Sequence, residues 1–482
     1  MNFLLPRLTE SYQVTAEMLA SLEPEEMVAR VADLGTFPEG GSFPITAPGT
    51  EGRRFRENFG ELLRQLVSRS RLSILYDGRL MDQLLGLATT MSGVQVRVVR
   101  HTGTLAALHL VAALASVSQL EGEQEQTTVR QLEAETRKRP ERRAADRLEV
   151  LQAKLEELAQ NQQELTNMIE HLYKSVFVLR CKDSATEIRA LCLEHLGQWL
   201  KVFPERFLDD SYLKYLGWFL HDPESQVRRP CVQALLPLYE APQLRSKLEL
   251  FTVKFKPRMV ALTLDLDLEL AVEAMQLLVL LVRQEPDVLQ EECEQMFLSV
   301  YSKHRSLGQA AGVFLVEQLR ARGHYPGQTV TSRRKARRPD SFLLRDLVTF
   351  SQEVELAQHE DVLVESIMAS CPVIRDWQAL VDLLLEEPGQ GEEALALTQE
   401  EESTVMALLA ASLKQAVEGQ PPEWRGGQKK VLTTREQGLR REAKVEATYC
   451  LLPVLPKLLY KFLPFPEVAA QVLELLQWLE LE

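Results

Sequence analysis

"CKDSATEIRALCLEHL" (residues 181–196) and "LHDPESQVRRPCVQALLPL" (residues 220–238) follow one pattern. Asp183 stands five residues before Ile188-Arg189, Asp222 stands five before Val227-Arg228, and an apolar run at helical spacing follows each. A third copy, "DLDLELAVEAMQLLVLL" (265–281), keeps Asp267 five residues before Val272 but carries Glu273 in place of the arginine. The aspartates lie 39 and 45 residues apart (183, 222, 267), about the roughly 40–47-residue period of HEAT-type helix pairs. In such an array the aspartate caps the second helix of a pair, and the arginine can bond acidic groups of a neighbouring repeat. The expectation is an all-α, HEAT-repeat-like solenoid.

Working outward, helical periodicity dominates and alternating strand patterns are nearly absent. Gly and Pro collect in "TFPEGGSFPITAPGTEG" (36–52), "EEPGQGEE" (386–393) and "GQPPEWRGGQ" (419–428). The expected divisions are 1–95, a helical region; 96–178, long helices; 179–265, the repeat core; 266–320, further repeats; 321–341, a basic loop; and 342–482, further helices. Within the second, Leu148, Leu151, Leu155, Leu158, Gln162, Leu165, Ile169, Leu172 and Val176 keep unbroken 3-4 spacing. That is a coiled-coil seam on a helix of about 35 residues, roughly 50 Å long. Residues 104–137 are also helical, so an antiparallel hairpin protruding from the array is expected, with "RKRPERR" (137–143) at its tip.

Composition bounds the function. The chain has 482 residues, 45% hydrophobic and 26% charged, with a formal net charge of −14. That excludes global disorder and a protein that coats nucleic acid by bulk charge. "EAMQLLVLLV" (273–282) is the best membrane-span candidate by eye and is too short, so no membrane association is expected. Six scattered cysteines without a CxxC pair suit a reducing compartment and buried thiols. Phosphate loops, dinucleotide fingerprints, nucleophile elbows and HExxH motifs are absent, so neither catalysis nor a cofactor is expected. His101 and His109 share a helix face without thiol or carboxylate company and read as structural histidines.

"FLDDSYLKYLGWFLHD" (207–222) carries five aromatic rings in its first thirteen positions, in a chain that is 7% aromatic. On a helix at 100° per residue, Asp210, Lys214, Trp218 and His221 share an arc, with Leu213 about 60° to one side. Tyr212, Tyr215, Leu216 and Phe219 point the opposite way, into a core. Trp218 on the polar face has two readings: an adjacent helix covers it, or it anchors a partner peptide. The run "RRKARR" (Arg333, Arg334, Lys335, Arg337 and Arg338) also has two: an import signal or solvated loop, or a DNA contact.

The same residues carry a resemblance. "DDSYLKYLGWFLHD" closely resembles the stromalin conservative domain of cohesin's SA (stromal antigen, STAG) subunits. The likeness extends, in order, through "VRVVRHTGTLAALHL" (96–110), "RLEVLQAKLEELAQNQQEL" (147–165), "KLELFTVKFKPRMVALTLD" (247–265), "LLLEEPGQGEEAL" (383–395) and "KKVLTTRE" (429–436). It implies a HEAT-repeat arch that binds cohesin's kleisin subunit, joins the core complex, contacts DNA and supports sister chromatid cohesion in the nucleus, on chromosomes. It further implies a groove for aromatic-x-Phe motifs, such as those of shugoshin and the insulator zinc-finger protein. That groove maps onto Asp210, Leu213, Lys214, Trp218, Lys254 and Phe255. Lys254-Phe255-Lys256 replaces the usual Arg-Phe-Lys, and weaker or altered motif binding is expected, because lysine lacks the planar fork. Likewise "LRCKD" (179–183) replaces "HRYRD" and puts Lys182 where arginine is usual.

The resemblance also places Arg53, Arg54 and Arg56 of "GRRFRENF" near a DNA-facing surface, which Arg97, Arg100 and His101 would extend. "ITAPG" (45–49), "PRMV" (257–260) and "HRSLGQAAG" (304–312) lean to the meiotic member. Family members are more than twice this length, so part of the kleisin surface is expected beyond residue 482. The alternatives are a shortened paralogue competing for cohesin's clients, and a transport-receptor-like solenoid without the hairpin.

Overall fold

A computed structural model describes residues 49–139, 144–285, 294–322, 339–354, 359–386, 397–422 and 433–480, together with residues 25, 26, 28, 29, 45, 289 and 425. The described residues form helices and turns and no strand. They divide into two compact units, Met1–Phe251 and Thr252–Glu482.

In the first unit, α1 (Gly49–Ser70) and α2 (Leu80–Gly93) pack on α3 (Arg97–Thr136), which turns back into α4 (Ala145–Leu172). The expected hairpin is present. Leu151, Leu158, Leu165, Ile169, Leu172 and Val176 of the seam are buried. Gln162 interrupts the seam and fixes its register: its Nε2 donates to the Ser118 carbonyl at 2.6 Å, and Ser118 Oγ donates to its Oε1 at 2.7 Å. Near the tip, the Ala144 amide donates to Glu135 Oε1 at 3.3 Å; residues 140–143 of the basic turn lie outside the described residues.

By length and composition α3 is the one helix among the described residues able to cross a membrane, a stronger candidate than 273–282. Its apolar window is 61% buried within the protein, which makes it a core helix whose far half packs on α4.

The return arm ends in a π-helical turn, Tyr173–Phe177. Beyond it lie α5 (Thr186–Val202), α6 (Asp210–Phe219) and α7 (Ser225–Glu240). α5 and α7 approach closely because residue 197 is glycine: a Cβ there would sit 2.6 Å from the Cβ of Ala234.

The repeat pattern becomes a ladder. Arg189 donates from Nε and Nη2 to both oxygens of Asp222, at 2.9 and 3.0 Å, while its Nη1 holds the carbonyls of Asp183 and Ser184. Arg100 repeats this geometry one step earlier, clamping Asp183 at 2.8 and 3.2 Å and holding the carbonyls of Val94 and Gln95. Arg228 holds the carbonyls of Asp222 and Pro223 at 2.8 and 2.7 Å. Each arginine thus grips the carbonyls five and six residues before it.

The expected caps differ in one respect. Asp183 and Asp222 stand two residues before the N-cap positions Ala185 and Glu224 and accept only those residues' amides. Their other side-chain partners are chiefly arginines, with Ser184 Oγ also donating to Asp183 Oδ1 at 3.5 Å. Asp267 is a true N-cap, accepting from Glu269 and Leu270. Burial alone would raise the Asp183 pKa, but the Ala185 amide and the Arg100 and Arg180 guanidinium groups outweigh it and hold the carboxyl below its ordinary value.

Three histidines are packed where α1, α3 and α5 meet. His109 faces His195 edge-on at 4.7 Å, against Gly60, where any Cβ would strike its ring. Burial lowers His101 to about 4, His109 to about 4 with help from Arg64, and His195 to about 3 with help from His109. The folded pKa values lie below the unfolded one, so the unfolded chain binds more protons once pH falls below about 6.5. Stability is therefore complete above that value. It falls by about 1.4 kcal/mol per pH unit per histidine down to about pH 4. Urea midpoints measured from pH 7 to 4.5 should drop steadily, and less steeply in His109→Gln; a flat profile contradicts this account. The Asp183 contribution is lost only below that window.

The second unit runs from within α8 (Arg245–Leu262) through α9 (Leu268–Gln284), α10 (Arg305–Arg322), α11 (Pro339–Glu353), α12 (Glu360–Ile367) and α13 (Trp377–Leu384). It ends in α14 (Gln399–Glu418), α15 (Thr434–Leu451), α16 (Leu455–Phe462) and α17 (Pro466–Glu474). Helices α9, α10, α12 and α14 stack in sequence. Thr398 with Glu401, and Thr433 with Glu436, form capping boxes that fix the starts of α14 and α15. Gly419, at φ 54°, ends α14 in the left-handed region.

Candidate functional site

Helix α6 begins where Asp209 accepts the Ser211 amide at 2.9 Å. Its inner face is an aromatic stack. Tyr215 lies edge-on to Phe177 at 5.2 Å, and Tyr212 lies 4.8 Å from Tyr173. Both of those partners belong to the π-helical turn, so the end of the hairpin's return arm forms the floor beneath α6.

The outer face holds Trp218, 47% exposed. Its ring rests on the edge of Tyr215 at 5.3 Å. Two ammonium groups flank it: Lys214 Nζ lies 5.7 Å and Lys182 Nζ 5.9 Å from its centroid. Asp210 is exposed one turn before Lys214. A half-exposed indole with two cations near its ring and an exposed carboxylate on the same helix offers an apolar surface and charges of both signs. No helix among the described residues covers it.

Leu213 departs from its expected place: it is buried beneath this face and supports it without presenting to a ligand. The angle of about 60° from the polar arc turns it into the core. Lys254 and Phe255 lie on α8 within the second unit, where Lys254 is exposed, Phe255 is buried, and the ammonium stands 5.5 Å from the ring. Lys182 stands where the family resemblance implies an arginine, and its spacing gives no sign of a place beside Trp218. It comes from the turn before α5, which no helical spacing connects to Trp218.

The basic candidates separate by environment. Arg53 and Arg54 are exposed in the first turns of α1, whereas Arg56 is half-buried and donates to the Ile45 carbonyl at 2.8 Å. Arg97 is largely exposed and paired with Glu187. Arg100 is a correction: it is buried, its guanidinium is spent on Asp183 and two carbonyls, and no phosphate can reach it. His101 is likewise buried and neutral. Arg333, Arg334, Lys335, Arg337 and Arg338 lie outside the described residues.

Helices stacked in this order define a solenoid of the HEAT-repeat class. Three family profiles match in order along the chain: the STAG domain over residues 41–154, the stromalin conservative domain over 182–256, and the HEAT-repeats domain of cohesin subunit SCC3/SA over 363–482. The chain is 39% identical to cohesin subunit SA-1 of Xenopus laevis and 38% identical to cohesin subunit SA-3 of Homo sapiens, in each case over 97% of its length. It spans 37% and 38% of those relatives, little more than a third. The solved structure of cohesin subunit Scc3 from Z. rouxii superposes with a TM-score of 0.76 at 20% identity, over 97% of this chain and 55% of that one. The chain belongs to the cohesin SA (STAG, Scc3) family, whose members are structural and non-enzymatic.

Proposed function

We propose that this chain is a non-enzymatic cohesin scaffold that holds kleisin and aromatic-x-Phe ligands against the Trp218 face and supports sister chromatid cohesion and chromosome segregation. The observation that carries this reading is the exposed indole between Lys182 and Lys214, on the segment that matches the stromalin conservative domain. An aromatic residue of the ligand stacks on Trp218, while the lysines and Asp210 fix its direction. Exposed tryptophans with firm backing are the usual anchors of such interfaces. DNA contact falls to the exposed Arg53 and Arg54, while a phosphate at Arg97 would have to displace Glu187. Such contact is salt-sensitive and independent of sequence. The site of action is the nucleus, on chromosomes.

The test is fluorescence anisotropy of a labelled aromatic-x-Phe peptide, with and without a kleisin segment. Trp218→Ala is expected to weaken binding by about 2 kcal/mol or more, roughly thirtyfold. Equal affinity for the parent chain and Trp218→Ala would overturn the assignment.

A further inference from the structure

Glu365 and Ser366, near the end of α12, are buried. An ionised carboxylate cannot remain in an apolar interior without a partner. Arg305, at the start of α10, approaches its Oε1 at 2.6 Å. The second cation is Arg425, whose side chain is only 2% exposed and whose Nη1 is paired with Glu365 Oε2. Arg425 belongs to the connection between α14 and α15, yet its partners are all remote. Its Nε donates to the Ser302 carbonyl at 3.0 Å. Its Nη2 donates to the Val300 carbonyl at 2.7 Å and to Ser366 Oγ at 2.7 Å. The four acceptors lie 59 to 125 residues from Arg425 in sequence.

Space for the group comes from residue 308. A Cβ at Gly308 would fall 3.0 Å from the Arg425 Cζ and closer still to Nη2. The lining therefore matches a guanidinium in shape and in acceptors: a carboxylate on one edge, two carbonyls and a hydroxyl on the others, and a glycine beneath. A lysine ammonium could satisfy only part of it. Every lining group belongs to α10, α12 or the turn before α10, none to the connection that supplies the arginine.

We propose that this cradle is a guanidinium-binding site, filled in cis by Arg425, which pins the α14–α15 connection to the second unit. Its ligand class is an alkylguanidinium, and an arginine side chain supplied in trans fits the same acceptors once Arg425 is withdrawn.

The test is chemical rescue in the full chain. Arg425→Ala should lower the melting temperature by several degrees, because Glu365 keeps only one cation. Millimolar methylguanidinium should bind that variant saturably and restore most of the loss, whereas methylammonium should not. The parent chain, with its cradle full, should gain nothing. Equal responses from variant and parent, or no rescue at all, would overturn the proposal. Gly308→Ala gives an independent arm, since it crowds the cradle while Arg425 remains. It should speed hydrogen exchange at the Arg425 amide, which donates to the Pro422 carbonyl at 2.9 Å, and stay indifferent to methylguanidinium; unchanged exchange there also overturns the proposal.

Discussion

Asp183→Ala is expected to destabilise the first unit by about 3–5 kcal/mol, read as a lowered urea midpoint of that unit's transition. The carboxylate serves two guanidinium groups, Arg100 at 2.8 Å and Arg180 at 2.8 Å, and accepts the Ala185 amide at 2.9 Å. Its removal leaves the buried Arg100 guanidinium with two carbonyls to bond, those of Val94 and Gln95. An uncompensated buried charge costs far more than the pair contributes, so the loss arises mainly from the orphaned arginine. Arg97→Ala is the matched control: its pair with Glu187 is largely exposed and should contribute less than about 1 kcal/mol. Arg100→Met combined with Asp183→Leu should recover much of the single-variant loss, since it removes both charges together. If Asp183→Ala cost no more than Arg97→Ala, the ladder would be ornamental and the stacking would rest on apolar contact alone.

The ladder also shows what the sequence could and could not convey. Asp183, Asp222 and their arginines repeat at a helix-pair period, so both the solenoid and the cross-repeat bonding were legible. Arg100 was not, because its partner lies 83 residues away and no aspartate precedes it at the repeat's spacing. Read as a surface cation, it is the first rung. The hairpin seam was readable because a 3-4 apolar period has one meaning on a long helix. Within the docking face, angular position identified Trp218 as an outward residue, but a 60° offset could not decide Leu213. Lys182 arrives from another element altogether. Spacing reports which residues share a helix face; it carries no information about which turns meet there. The Arg425 cradle escapes for the same reason, since its lining is drawn from a turn and two helices.

Trp199 and Trp218 lie nineteen residues apart and are expected to fail in opposite ways. Trp199 is 1% exposed and packed among Phe177 at 5.7 Å, Phe207 at 5.5 Å and His195 at 6.5 Å. Trp199→Ala should cost about 3–5 kcal/mol through lost burial and the cavity it leaves. Its indole N–H has no acceptor within the described residues, so Trp199→Phe forfeits no hydrogen bond and should cost much less. Trp218→Ala removes a half-exposed ring that touches Tyr215 and two lysines, and should change stability by less than about 1 kcal/mol. Its loss should appear in peptide affinity instead. Urea denaturation and anisotropy on the same three variants separate the two roles. A Trp218→Ala chain as unstable as Trp199→Ala would make the outward ring part of the core, and the exposed indole would no longer argue for a ligand. A stable Trp218→Ala chain that no longer binds the peptide would show that α6 uses its inner rings to hold the fold and its outer ring to meet a partner.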